Sequence, residues 1–267
     1  MSEPAQGNAL DLVHLTKIFG DCVACEDVSL SVTRGSVVAV LGGRGGAGAS
    51  IFATALALTA ADALLIDADP WSGGIDLLLG IENESGVRWP DLSLQSGRLN
   101  LAALREALPR RDGVGVLSGG RSGGDIDAVP LGAVIDAGNR GGATVICDLP
   151  RRSTAAVETA LEAADLVAVV CPADVRSCVA ASVIARWVST INPNAGVVVR
   201  GPSPGGLRSA DVAASVGLPL LAAMRAQSGI ADALERGGLK FGARSPLAAA
   251  ARRVLAVLLQ HPTVTAA

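Results

Sequence analysis

Glycines, a serine and two aspartates stand at spacings that suit phosphate chemistry. The glycine-rich run Gly42–Gly48 follows the apolar stretch Val37–Leu41 and precedes Ser50, while Asp67 and Asp69 end the next apolar run. Glycine backbone can turn its N–H groups inward on an anion, and a helix that begins at the loop adds partial positive charge. The pattern predicts a phosphate-binding strand–loop–helix unit, with the Ser50 hydroxyl placed to reach Mg²⁺.

The loop departs from the usual phosphate-loop sequence at one position. The Walker A pattern is G-x-x-x-x-G-K-[ST], and Gly43–Gly48 keeps its glycine spacing, but Ala49 replaces the lysine. A charge-assisted hydrogen bond contributes roughly 1.5–3 kcal/mol, so its loss weakens binding about tenfold to a hundredfold. Arg44 at the start of the loop is the candidate replacement charge. The alternative interpretation is a glycine-rich turn without a ligand.

A third acid is expected at the same edge of the sheet. The residues 144–147 predict a buried strand, and Asp148 stands at its carboxyl end. Ligands of open parallel sheets bind outside the carboxyl ends of the strands, which places Asp148 beside Asp67 and Ser50. A hydroxyl and carboxylates suit Mg²⁺. Arg151 and Arg152 follow directly, either as contacts to phosphate or to a second subunit, or as an exposed solvated pair.

The chain resembles the MinD/ParA group of P-loop ATPases from about residue 36 to its end. The segments that carry the resemblance are GGRGGAGAS, LLIDADPWSGGIDLLLG, GVRWPDL, CDLPRR and VVRGPSPGGLRSADVA, and they look most like the actinobacterial CpaE-like and septum site-determining proteins. On the family pattern KGGxGK[ST], Arg44 matches the signature lysine and Ala49 the second lysine. Ser50 matches the Mg²⁺-binding residue. Asp67 and Asp148 match the Walker A′ and Walker B acids.

The resemblance implies a set of site residues with separate roles. Asp67 would orient water and Arg44 would reach phosphate, which makes them the catalytic candidates. Ser50, Asp67 and Asp148 are the candidate metal ligands. The nucleotide-binding candidates are Gly43, Arg44, Gly45, Gly46, Ala47, Gly48, Ala49, Ser50 and Ile51.

The resemblance also implies a fold, cofactors and partners. The fold would be α/β and Rossmann-like, with a mostly parallel twisted sheet covered by helices on both faces. The cofactors would be ATP and Mg²⁺, and the partners a second copy in a nucleotide-dependent homodimer and proteins of cell division, secretion or pilus assembly. The expected location is the cytoplasm, with the inner membrane face as an alternative. Members of this branch usually carry an N-terminal receiver-like domain.

Composition narrows the possible functions. Half of the 267 residues are apolar but aromatics make up 2%, as expected for a buried sheet with Ala-rich helices. The formal net charge of −3 gives no global basic field, so no specific nucleic-acid partner is expected. The five cysteines do not form a disulfide framework, and Cys22-x-x-Cys25 lacks a second ligand pair for zinc. No run reaches the ~20 apolar residues of a membrane span.

The expected organisation has three parts. Residues 1–8 are a disordered tail, 9–35 a short β segment, and 36–267 the P-loop domain. Residues 9–43 resemble the opening of an ABC-transporter ATPase, in which Phe19 would stack on adenine; the alternative is a two-stranded ribbon packed at the sheet edge without a ligand. The segment 117–121 is similar to the ABC signature, but the residue after Asp148 is leucine where that family needs a glutamate.

Two more features leave alternatives open. The terminal helix predicted over 245–260 has one apolar face, which fits packing on the sheet or weak membrane association. Trp71 and Trp89 lie near the predicted site and fit cover of the nucleotide, a partner surface or simple loop packing. Three functions follow: a MinD/CpaE-like regulator with weak or absent ATP hydrolysis, a non-hydrolysing pseudo-ATPase, and an ABC transporter ATP-binding subunit.

Overall fold

The computed structural model describes residues 8–19, 22–33, 35–92, 99–120 and 123–260. The tail predicted over residues 1–8 lies almost wholly outside these ranges. The proposed stacking role of Phe19 concerns a side chain outside the described set. Residues 93–98 and 121–122 are likewise outside it.

The N-terminal segment forms a sheet of its own. Strands β1 (Asn8–Phe19) and β2 (Cys22–Thr33) pair antiparallel, with Phe19 opposite Cys22 and Asn8 opposite Thr33. Two antiparallel strands agree with the alternative in which this segment is a two-stranded ribbon. Its placement at the edge of the main sheet, and the division of the chain into three parts, stay predictions.

The main sheet has eight strands and is parallel except at one edge. Its spatial order is β10-β9-β8-β3-β7-β4-β6-β5, and β5 runs antiparallel to β6. The strands are β3 (Ser36–Gly42), β4 (Ala63–Asp67), β5 (Arg110–Arg111), β6 (Val114–Leu117), β7 (Thr144–Leu149), β8 (Leu166–Pro172), β9 (Ala195–Arg200) and β10 (Leu220–Met224). The predicted α/β fold with a mostly parallel sheet is confirmed.

Strand β3 lies in the middle of this sheet between β7 and β8. Residues 37–41 are fully buried because both faces of the sheet are covered. Val37, Ala39 and Leu41 enter the core on one face, whereas Val38 and Val40 enter the core on the other. A strand buried on both faces needs apolar residues at every position, which is why it reads as a continuous run.

Nine helices occur in the described part of the chain, together with a 3-10 turn at Trp89–Asp91. They are α1 (Ala49–Thr59), α2 (Ile75–Leu79), α3 (Leu101–Ala107), α4 (Ala128–Arg140), α5 (Ala155–Ala163), α6 (Val175–Ile191), α7 (Ser209–Val216), α8 (Ile230–Glu235) and α9 (Pro246–Gln260). Side chains of Asn100, Thr154 and Asp174 cap α3, α5 and α6 by accepting backbone N–H groups.

Helix α9 packs on the main domain against α1 and β10. Its apolar face is buried through Leu247, Ala251, Val254 and Leu258, which supports the predicted packing on the sheet. No helix in the described ranges combines the length and hydropathy required to cross a bilayer. Burial raises the pKa of the Cys147 thiol to about 12, so this predicted core cysteine is unreactive.

Strand β5 is not predicted from the sequence, because its two residues are too few to show a periodic pattern. Its prediction for β7 was too short, because the strand continues through Asp148 to Leu149. Asp148 therefore lies inside the sheet between β3 and β4, opposite Val40 and Asp67, and not beyond the strand end. This position in the ladder makes the carboxyl more deeply buried than the sequence suggested.

Candidate functional site

The glycine loop joins β3 to α1 and leaves the helix N-terminus open. Gly48 adopts φ 95°, a left-handed conformation that L side chains rarely take, and no side chain caps the first turn. Acidic residues are absent from that turn. The uncapped N–H groups and the helix dipole together favour an anion at this position.

A cavity of about 620 Å³ opens at the loop. Eight of the nine predicted nucleotide-binding residues line it, namely Arg44, Gly45, Gly46, Ala47, Gly48, Ala49, Ser50 and Ile51. Gly43 is the exception, since its N–H donates to the Val170 carbonyl at 2.8 Å and its α-carbon lies close to Ala181. Gly43 thus serves the packing of the loop against β8 and α6.

Asp148 lines the cavity beside Ser50. It is 2% exposed, and its carboxylate accepts a hydrogen bond from the Ser50 side chain. Burial raises the pKa of Asp148 well above its usual value; the bond from Ser50 opposes that rise, and the charges of Asp67 and Asp69 add to it. A carboxyl that is costly to ionise in isolation is stabilised as an anion by a bound cation.

Of the two acids after β4, Asp69 and not Asp67 lines the cavity. Asp67 is fully buried, and its carboxylate accepts the N–H groups of Ile75 at 3.0 Å and of Asp69 at 3.1 Å. The Ser72 hydroxyl also donates to it, at 3.3 Å. Burial raises the pKa of Asp67 to about 6, and these backbone bonds partly oppose the rise. Asp69 lines the cavity, and Asp67 organises the loop behind it.

Arg44 lines the cavity, but contacts with the first turn of helix α6 hold its guanidinium. Its Nε donates to the Ser177 hydroxyl at 2.6 Å, and its guanidinium lies 3.8 Å from the Asp174 carboxylate. Its Nη1 donates to the Gly45 carbonyl at 2.9 Å. This set of contacts, called the Arg44 latch below, ties the glycine loop to the first turn of α6.

Three further arginines surround the loop. Arg151 and Arg152 line the cavity, and Arg152 pairs with Asp125 at 3.6 Å. The Arg151 guanidinium lies near Gly45, 3.5 Å from the position that a Cβ would occupy there. Arg200 donates to the Gly46 carbonyl at 3.4 Å. Arg200 was assigned no phosphate role from the sequence, and its separation from the loop in the chain left no local signal.

The two tryptophans have different roles in the loops around the site. Trp71 is 70% exposed and lines the cavity mouth. Trp89 donates its indole N–H to the Asp67 carbonyl at 2.7 Å and is partly buried. Trp89 therefore packs the loop that carries the acids, while Trp71 is available to a ligand or partner.

The oxygen donors at the cavity fit a magnesium ion that is shared with a phosphate. Within the described ranges, no group of three or more His, Cys, Asp or Glu side chains could hold a metal by itself. Mg²⁺ typically takes one or two carboxylates or hydroxyls from the protein and completes its shell with phosphate oxygens and water. Ser50, Asp148 and Asp69 meet that requirement, and burial of Asp148 favours a cation.

A glycine loop between the central strand and its helix, with acids on two neighbouring parallel strands, defines a P-loop NTPase fold. No protein-family model matches the chain. Two uncharacterized proteins of Mycobacterium tuberculosis, from strains CDC 1551 / Oshkosh and ATCC 25618 / H37Rv, are each 65% identical over 224 residues. These matches cover 84% of this chain and 64% of each relative, so the chain spans just under two thirds of their length.

Solved structures narrow the fold to the MinD/ParA type. A ParA family ATPase from Chlorobium tepidum has a TM-score of 0.71 at 16% identity, over 83% of this chain and 98% of its own. The MinC:MinD complex of Aquifex aeolicus has a TM-score of 0.67 at 21% identity, and the match covers 87% of this chain and 98% of the other. MinD from Pyrococcus horikoshii complexed with Mg-ADP has a TM-score of 0.59 at 15% identity, and the match covers 82% of this chain and 93% of the other. The chain therefore has the fold of the MinD/ParA ATPases.

Proposed function

We propose that this chain is a MinD/CpaE-like nucleotide-binding regulator that binds Mg-ATP at the glycine loop and hydrolyses it slowly or not at all. One observation carries the proposal: an uncapped helix N-terminus, a glycine loop and the Ser50–Asp148 pair line the same cavity. The fold is shared with a MinD that was crystallised with Mg-ADP. The division of the chain into an N-terminal ribbon and a P-loop domain belongs to the same proposal.

The loop would hold the phosphates through its backbone. The amides from Gly45 to Ser50 bind the phosphate oxygens, and the N-terminus of α1 contributes its dipole. Ser50 and Asp148 would hold Mg²⁺, and Asp67 would keep the acid loop in place behind them. Bound Mg²⁺ supplies charge neutralisation at the phosphates.

Asp69, which is partly exposed, is better placed to orient water than the buried Asp67. Asp69 lines the cavity, whereas the Asp67 oxygens are taken by amides of its own loop. We therefore transfer the water-orienting role from Asp67 to Asp69 and retain Asp67 as its support. Arg44 reaches phosphate only after the latch opens, which makes turnover slow.

The biological role proposed is the placement of a division septum or of secretion or pilus machinery. Support comes from the shared fold with MinD and ParA proteins and from the sequence motifs; the Aquifex MinD was solved in complex with MinC. The partners would be a second copy of the chain, bound in the presence of nucleotide, and a division or pilus protein. Loss of the gene should displace septa or pili, and normal septa together with normal pili would contradict this role.

The pseudo-ATPase remains a second candidate because of Ala49 and the Arg44 latch. Both remove cations from the phosphate position, so the same fold could serve as an interaction module without turnover. The resemblance of residues 9–43 to ABC ATPases gains no support from the comparisons and stays a prediction.

Calorimetry with Mg-ATP on the full chain tests the proposed function. We expect a Kd between micromolar and submillimolar, a loss of binding in Asp148→Asn, and phosphate release that falls further in Asp69→Asn. Binding without phosphate release favours the pseudo-ATPase. No binding up to millimolar ATP in both the wild type and Ala49→Lys would refute a nucleotide site.

A further inference from the structure

The glycine loop lacks the lysine of its motif, yet two arginines beside it form no ion pair with a carboxylate of a described residue. Among the four arginines around the loop, Arg44 pairs with Asp174 and Arg152 pairs with Asp125. No carboxylate of a described residue lies within ion-pair distance of Arg151 or Arg200. Those two side chains carry the positive charge at the loop that no described carboxylate neutralises.

Arg200 differs from Arg151 in how firmly it is held. Its carbonyl accepts the Ala173 N–H at 2.9 Å, and it pairs in register with Pro172 on β8 and Met224 on β10. The residue is half-buried, while Arg151 is exposed on a bend after β7. A half-buried arginine without a described counter-ion is stabilised more by an anion than an exposed one is.

The Arg200 side chain reaches the loop at the point where it becomes a helix. Nη2 donates to the Gly46 carbonyl at 3.4 Å, and Nη1 lies 3.2 Å from the position of a Cβ on Gly48. Gly48 lines both the main cavity and a smaller one of about 30 Å³, and Arg200 lines the smaller one. The guanidinium therefore lies against Gly48, the residue that precedes the position of the missing lysine.

We propose that Arg200 is the phosphate-binding cation that replaces the lysine missing at Ala49. This inference rests on the proposed function, because it assumes that the loop binds a nucleoside polyphosphate. Arg200 lies at the end of β9, so the positive charge comes from a neighbouring strand and not from the loop itself. Its guanidinium adds directional N–H donors, which suit phosphate oxygens.

The test compares Mg-ATP affinity in five variants by calorimetry, with thermal unfolding to confirm that each is folded. Arg200→Ala should weaken binding about tenfold to a hundredfold, the effect of one charge-assisted bond. Arg200→Lys should lose less. Ala49→Lys should restore binding to Arg200→Ala by a larger factor than it improves the wild type, because both cations serve the same phosphates. Arg186→Ala, an exposed arginine of α6, is the matched control.

Two results would overturn the inference. In the first, Arg200→Ala binds within about twofold of the wild type, which is below the effect of one such bond. In the second, Ala49→Lys improves binding equally with and without Arg200, which shows independent sites. Either result leaves the proposed function intact when the wild type binds ATP. A wild type and Ala49→Lys variant that both fail to bind millimolar ATP overturn the proposed function as well.

Discussion

Asp67→Asn should stabilise the folded chain at neutral pH, although it alters the loop that supports the site. Asp67 is fully buried, and burial raises the pKa of its carboxyl to about 6. At neutral pH the wild type must keep a desolvated carboxylate next to Asp148. Asparagine has nearly the same shape and carries no charge, but its one oxygen can accept only one of the two backbone N–H groups that Asp67 accepts.

The sign and size follow from the pKa in the two states. In the unfolded chain the Asp67 carboxyl ionises near its ordinary pKa of about 3.9. The raised pKa makes the folded chain bind the proton more tightly, so this stability is fully present below about pH 4 and is lost as pH rises through about 6. A pKa that differs by about 2 between the two states corresponds to about 3 kcal/mol in the free energy of unfolding. Removing the charge also relieves Asp148, whose pKa the charge of Asp67 helps to raise.

Urea denaturation from about pH 4.5 to pH 7.5, in the presence of a chelator, measures this effect. The variant should exceed the wild type by about 1–2 kcal/mol at the upper pH, because the cost of one N–H group without an acceptor offsets part of the charge effect, and the difference should shrink toward the lower pH. Asp232→Asn, which removes an exposed carboxylate from α8, is the control and should show no such trend. If Asp67→Asn gives equal or lower stability than the wild type at every pH, the argument from burial is wrong.

The remaining predictions concern the loop and its neighbours. Mg²⁺ with ADP should raise the melting temperature of the wild type but not of Asp148→Asn, measured by scanning fluorimetry; an equal rise in both would exclude Asp148 as a ligand. Ser177→Ala removes the acceptor of Arg44 Nε and frees the guanidinium for phosphate, so ATP binding measured by calorimetry should tighten. The gain should be about twofold to tenfold, because the Arg44 contacts are partly exposed and therefore weak. Weaker binding would show that the latch positions Arg44 for phosphate. Gly48→Ala should cost about 1–2 kcal/mol in urea denaturation because of its φ of 95°, and unchanged stability would contradict that strain.

The core of the fold could be predicted from local sequence. Residues 37–41 are apolar at every position because β3 is covered on both faces, and such a run has few alternatives besides a central parallel strand. The loop Gly42–Gly48 followed by a helix is equally local, because glycine spacing sets the backbone directly. Ser50 is predicted from its place directly after this loop, and Asp148 from its place at the end of an apolar strand.

Tertiary structure decided which charged groups face the cavity. Asp67 and Asp69 look equivalent in the sequence, but amides of residues 69 and 75 take the first carboxylate and leave the second at the cavity. Arg44 is expected at phosphate from the sequence, but Ser177 of α6, which is distant in the chain, accepts a hydrogen bond from its guanidinium. Arg200 reaches the loop only because β9 is separated from β3 by a single strand, β8. Backbone preference acts within a few residues and is readable locally, whereas the partner of a charged side chain is set by strands and helices that meet only when the sheet has formed.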